Sequence, residues 1–169
     1  APAPAAAHVA IGRQVGSYEL QRKLGQATST VFLANSPQGA VAVKVLPAQL
    51  VERNPTVGKR LLRVARTLFG PSHPNVIRSH DAGEELGTYF LVMEYFPAAD
   101  LAALLQQRGG RLPEEEAIRI AIEVAQGIDY LNSNNLLHRN IKPEHVLVDD
   151  DGEVKLVGLG LIRQADLDA

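Results

Sequence analysis

His138-Arg139-Asn140-Ile141-Lys142-Pro143-Glu144-His145 sets two histidines, an arginine, a lysine and a glutamate around one proline. Directly after it, Val146-Leu147-Val148 and Val154-Lys155-Leu156-Val157 read as two short strands. The turn between them, Asp149-Asp150-Asp151-Gly152, ends in the Asp-Gly pair that favours a hairpin. Before the stretch lie two helical patterns. Residues 99–107 are closed by Gly109-Gly110. Residues 113–132 open with Pro113 in the first turn and Glu114-Glu115-Glu116 at the positive end of the helix dipole, with Ile118, Ala121, Ile122 and Ala125 as the apolar side.

Toward the N-terminus the texture is that of strands. Residues 18–24 roughly alternate apolar and polar, and Thr30-Val31-Phe32-Leu33-Ala34 follows, turned by Ser36-Pro37-Gln38-Gly39. Residues 40–46 are apolar except for Lys44, as in a buried strand. Pro55 opens an amphipathic helix with Leu61, Leu62, Ala65 and Leu68, ending near Gly70-Pro71. Lys59, Arg60, Arg63 and Arg66 give that helix a basic set, read as a solvated face. Two more strands, 76–82 and 89–96, are joined across 83–87. The order is five strands with one inserted helix, then helices, then a hairpin: an α+β chain. Residues 1–15, Ala/Pro-rich at their start, read as a linker or disordered tail.

Composition narrows the functional classes. Hydrophobic residues make up 46% and charged residues 21% of the 169, ordinary for a chain that buries a core. A net charge of −2 carries no overall basic footprint for nucleic acid, so none is expected as a partner. No apolar run is long enough to span a bilayer. The absence of cysteine rules out a disulfide framework and is compatible with a reducing compartment, which points to the cytoplasm. Asp149, Asp150 and Asp151 lack EF-hand spacing, and His8, His73 and His80 lack metal-ligand spacing.

Taken together, these segments over 18–163 resemble the eukaryotic-type Ser/Thr protein kinase domain found also in bacteria. The resemblance implies a five-stranded antiparallel N-lobe with one helix and hinge over 16–96, then the first part of a helical C-lobe over 97–169. Gly25 matches the first glycine of the phosphate-covering loop, while Ala27 stands at the second. Ala42-Val43-Lys44 matches the strand-three element, so Lys44 is the lysine for the α/β phosphates. Met93 is at the gatekeeper position, and Glu94 and Phe96 would offer backbone groups to adenine. Val31, Ala42 and Leu147 stand where the family sandwiches the base. Asp100 reads as a ribose contact or a helix cap. Leu68, Ser79, His138 and Leu159 fall on the family's regulatory spine, with a serine where an apolar residue is usual.

The chemistry-bearing positions depart from the family. The stretch 138–145 overlays H-R-D-L/I-K-P-x-N with Asn140 in place of the aspartate base and His145 in place of a magnesium ligand. Gly158 replaces the aspartate of D-F-G, and Val64 stands where the helix glutamate would pair with Lys44. An amide is no base at neutral pH, and imidazole matches magnesium poorly. These departures predict a pseudokinase, not an enzyme: a scaffold or allosteric regulator in signalling with a protein partner, taking ATP without magnesium and holding no metal. The alternative is a weak or atypical ATP-dependent Ser/Thr kinase using Lys44 and Lys142. The activation segment and later helices of the family lie outside the sequence, so the chain reads as truncated after the D-F-G position, with apolar surface left open.

Overall fold

A computed structural model describes residues 11–26, 29–70, 72–158 and 163–164. The described residues form two compact units, one drawn from 1–70 and 79–95 and the other from 71–78 and 96–169.

The first unit is a six-stranded antiparallel sheet with two helices. Its strands are β1 (Gln14–Val15), β2 (Tyr18–Gln26), β3 (Thr30–Ser36), β4 (Gly39–Val45), β5 (Ser79–Glu85) and β6 (Thr88–Glu94), in the order β1-β2-β3-β4-β6-β5. Alternation sorts the side chains. Phe32, Ala34, Val41, Val43, Val45, Phe90 and Val92 pack with Val15 and Leu20 into one core on one face. Burying each valine, leucine or phenylalanine side chain stabilises by about 1.5–3 kcal/mol relative to exposure. Helices α1 (Ala48–Arg53) and α2 (Thr56–Thr67) connect β4 to β5. Helix α2 buries Val57, Gly58, Leu61, Val64 and Ala65, a helical stripe. A Cβ on Gly58 would lie 2.5 Å from the Tyr89 ring, so the helix rides directly on β6.

Two expectations are corrected here. The tail predicted over 1–15 stops short, because Gln14–Val15 pairs with β2 and Val15 is 1% exposed. Apolar burial and ladder hydrogen bonds outweigh the low-complexity flavour of the segment. The Gly16 N–H donates to Glu85 Oε2 at 2.7 Å, and the Tyr18 hydroxyl donates to Asp81 Oδ2 at 3.1 Å, which ties this end of the sheet to β5. Burial, reinforced by the Asp81 charge, raises the Tyr18 pKa. The single inserted helix is in fact two, since Asn54 ends α1 and its carboxamide accepts from the Thr56 N–H and hydroxyl at the start of α2.

The second unit contains β7 (Ala99–Asp100), α3 (Leu101–Gln107), α4 (Glu114–Ser133), β8 (Leu136–Leu137), a 3-10 turn (Pro143–His145), β9 (Val146–Val148), β10 (Val154–Leu156) and β11 (Arg163–Gln164). The hairpin β9–β10 forms as expected, with β7 on its other edge. Its core is Ile120, Val146, Val148, Val154 and Leu156. Helix α4 therefore turns Ile120, Gly127 and Leu131 inward, and the side expected to be apolar is the outer one: Ile118 and Ile122 are 52% and 53% exposed. Both stripes have helical spacing, and the hairpin engages the one that continues to Leu131.

The strand expected over 76–82 is also divided, beginning only at Ser79. Residues 75–77 are stitched to β10 instead: Leu156 N–H donates to Asn75 O at 2.8 Å and Ile77 N–H to Leu156 O at 2.9 Å. The buried Asn75 carboxamide donates to Glu123 Oε2 and to the Val154 carbonyl, each at 2.9 Å. Gly127 makes room for this crossing, because a Cβ there would lie 2.8 Å from both Asn75 O and Leu156 Cδ1. Gly127→Ala should therefore cost about 1–3 kcal/mol by overpacking, although alanine is the better helix former. A thermal melt checks this, and a raised midpoint would contradict it.

Candidate functional site

Lys44 is the one cation on an otherwise apolar strand, and the register shows its surroundings. It lies opposite Val31 on β3 and Leu91 on β6, while Ala42 lies opposite Leu33 and Met93. Directly opposed residues share a sheet face. Val31, Ala42, Lys44 and Met93 thus lie together on the face away from the Val41, Val43 and Val45 core. Ala42 and Met93 are buried, and Lys44 is partly buried. Desolvation holds the Lys44 ammonium below its ordinary pKa. No ion pair to Lys44 exists among the described residues. Val64, at the expected glutamate position, is 3% exposed on the packed side of α2 and brings no counter-charge.

Gly25 pairs with Val31 just after a register shift in β2. A Cβ there would meet nothing within 4 Å, so packing does not demand glycine. Ala27 and Thr28 lie outside the described residues. Glu94, partly buried, closes β6 opposite Val41.

In the second unit the stretch 138–145 closes on the end of β10 through imidazole hydrogen bonds. The Asn140 N–H donates to His138 Nδ1 at 3.3 Å, so the proton sits on His138 Nε2, which donates to the Val157 carbonyl at 2.7 Å. His145 Nδ1 donates to the Asn140 carbonyl at 2.7 Å, and the His145 carbonyl accepts from the Val157 N–H at 2.9 Å. Arg139, between them, takes a left-handed φ of 59°, which is uncommon away from glycine.

The His145 ring covers Gly158. A Cβ at Gly158 would lie 2.7 Å from His145 Nδ1 and 2.8 Å from its Cγ, and Gly158 has a φ of 90°. The side chains at 145 and 158 are therefore sterically coupled. Sequence reasoning took these as two separate losses; only the backbone path shows that they touch.

The remaining predicted positions fall as follows. Leu147 is partly buried on β9, alternating with the core residues Val146 and Val148. Phe96 carries the Lys155 ammonium 5.5 Å from its ring centroid. Asp100 is the cap of α3, accepting from the Ala103 N–H at 2.8 Å. Ser79 and His138 are buried, and the Ser79 hydroxyl has no hydrogen-bond partner among the described residues. Leu68 is buried on its own unit, and Leu159 lies outside the described residues. Asn140, His145 and Gly158 supply no carboxylate, and no group of three or more His, Cys, Asp or Glu able to hold a metal exists among the described residues. That donor set does not fit magnesium, which prefers hard oxygen ligands. No helix among the described residues is long and apolar enough to cross a membrane.

The family profile described as protein kinase domain matches residues 18–169. This chain belongs to the protein kinase family. It is 35% identical over 158 residues to CBL-interacting protein kinase 4 of Oryza sativa subsp. japonica, covering 90% of this chain and 34% of that protein. It is 30% identical to serine/threonine-protein kinase PrkC of Bacillus subtilis, covering 89% of this chain and 24% of that protein. The crystal structure of the Mycobacterium tuberculosis PknI kinase domain superposes with a TM-score of 0.82 at 28% identity, over 92% of this chain and 64% of that one. The chain thus spans about a third or less of the length of these curated relatives.

The expectation that the chain is not an enzyme is overturned by these relatives. They are named protein kinases, and a kinase-domain fold is the fold of an enzyme. The physical reason is one of magnitude. Loss of a general base slows transfer by about 10²–10⁴-fold and does not remove the positioning that carries much of phosphoryl transfer. Asn140, His145 and Gly158 are departures within a kinase family, not grounds for leaving it.

Proposed function

We propose that this chain is the nucleotide-binding part of an ATP-dependent Ser/Thr protein kinase domain in which phosphoryl transfer is slow and nucleotide binding does not require magnesium. The observation that carries this is Lys44, a desolvated cation on an apolar face with no carboxylate partner among the described residues. Such a charge is costly until an anion meets it. The phosphates of ATP supply that anion, while Val31, Ala42 and Met93 give the same face the apolar surface a purine needs. Gly25 leaves backbone open to approach. The missing metal ligands leave Lys44 as the main phosphate charge, which is why magnesium is dispensable for binding. A protein partner in signalling is part of the proposal, since one relative is named for such an interaction. So is the cytoplasm, which the lack of cysteine favours.

The test is a titration of a fluorescent ATP analogue against the chain and against Lys44→Met. At least a tenfold loss of affinity is expected in the variant, and equal affinity would refute the assignment. The pH dependence has a defined sign. The binding form is the ammonium, so affinity should fall as pH rises through the lowered pKa of Lys44. In the ligand-free chain, stability should instead rise with pH between that lowered value and 10.5, because there the unfolded chain binds more protons.

A further inference from the structure

We propose that the outer face of α2 is a docking site for a protein segment phosphorylated on serine or threonine. The helix carries Lys59, Arg60, Arg63 and Arg66 and no acidic residue over Thr56–Thr67. Its packed residues leave Lys59, Arg63 and Arg66 on the opposite side, where all three are exposed at i, i+4 and i+7. With Leu62 and Thr67 these three line a shallow surface depression open to solvent.

A merely solvated face would be charged differently. Helix α4 places Glu114, Glu115 and Glu116 at its start, and its Arg119 pairs with Glu123 at 2.6 Å. Arg108 likewise pairs with Glu116 at 2.6 Å. Helix α2 has no acid in its first turn, and none of its four cations forms an ion pair among the described residues. Like charges at i, i+3 and i, i+4 disfavour the helix, and only Arg66, in the last turn, suits its dipole. The like-charge spacing thus departs from what would stabilise the helix alone, and an anion bound among these cations removes the conflict.

Phosphate fits best among anions. Two arginine forks can each bind it bidentately, the lysine adds a point charge, and Leu62 offers apolar contact to a flanking side chain. Nucleic acid fits less well, because the cations occupy one short helix on a chain of net charge −2. The site stands on a different surface argument from Lys44 and does not depend on nucleotide binding.

The test is fluorescence anisotropy of a fluorescein-labelled degenerate peptide pool with one fixed phosphothreonine beside leucine, titrated with the chain at near-physiological salt. Saturable binding is expected, at least tenfold tighter than for the threonine and glutamate versions of the pool. Arg63→Ala/Arg66→Ala should lose at least tenfold, Arg63→Lys/Arg66→Lys less. The melting midpoint of the alanine variant should stay level or rise, since a like-charge pair is removed. Equal binding of the glutamate pool, unchanged binding by the alanine variant, a lowered midpoint, or tighter binding of a short DNA duplex than of the phosphopeptide would each overturn the proposal.

Discussion

The combined substitution Asn140→Asp, His145→Asn, Gly158→Asp in the intact protein is expected to speed magnesium-dependent phosphoryl transfer from ATP at least about 10²-fold. Asn140 has the shape of the family's base without its proton affinity, and neither His145 nor Gly158 offers the oxygen ligands that magnesium prefers. Restoring the base alone is worth about 10²–10⁴-fold in typical cases, and the restored ligands add electrostatic stabilisation. Transfer of labelled phosphate to a generic acceptor protein measures it. A combined variant that melts cooperatively yet transfers no faster would show that these three positions do not limit the reaction.

The second large effect concerns stability and follows from the contact between two of the same positions. Gly158→Asp alone should destabilise by about 1–3 kcal/mol, since the new side chain meets a left-handed backbone and the His145 ring. In the presence of His145→Asn the cost should shrink by about 1 kcal/mol, an interaction typical of residues in contact. Thermal melts of the two single variants and the double close the cycle. Strict additivity would contradict the steric coupling.

Most of the fold was legible in residue patterning. Alternation in 18–24, the apolar run over 40–46 and the Asp-Gly hairpin at 149–152 are local signals, and the structure follows them. Misreadings arose where tertiary partners choose between equal local options. Helix α4 has two apolar stripes, and only the hairpin core decides for Ile120 over Ile118. Residues 76–78 look like the start of a strand, yet the backbone bonds of Asn75 and Ile77 to Leu156 hold that segment within the second unit. Short β1 escaped notice because two residues carry no periodicity. At the site, residue identities were readable one by one from spacing. The His145–Gly158 contact was not, because it depends on backbone conformation 13 residues apart in sequence. The inference from missing side chains to a missing activity failed for a different reason, since a sequence shows which groups are absent and not how much rate remains without them.

The most direct measurement is a thermal melt of the chain with ATP, once in EDTA and once with magnesium, beside Lys44→Ala. A ligand that binds only the folded state at about a hundredfold excess over Kd adds about 2.7 kcal/mol of stability. The predicted result is a raised midpoint of similar size in both buffers and none in the variant. A cooperative melt whose midpoint ATP leaves unmoved in both buffers would contradict the assignment of Lys44 and its face to nucleotide.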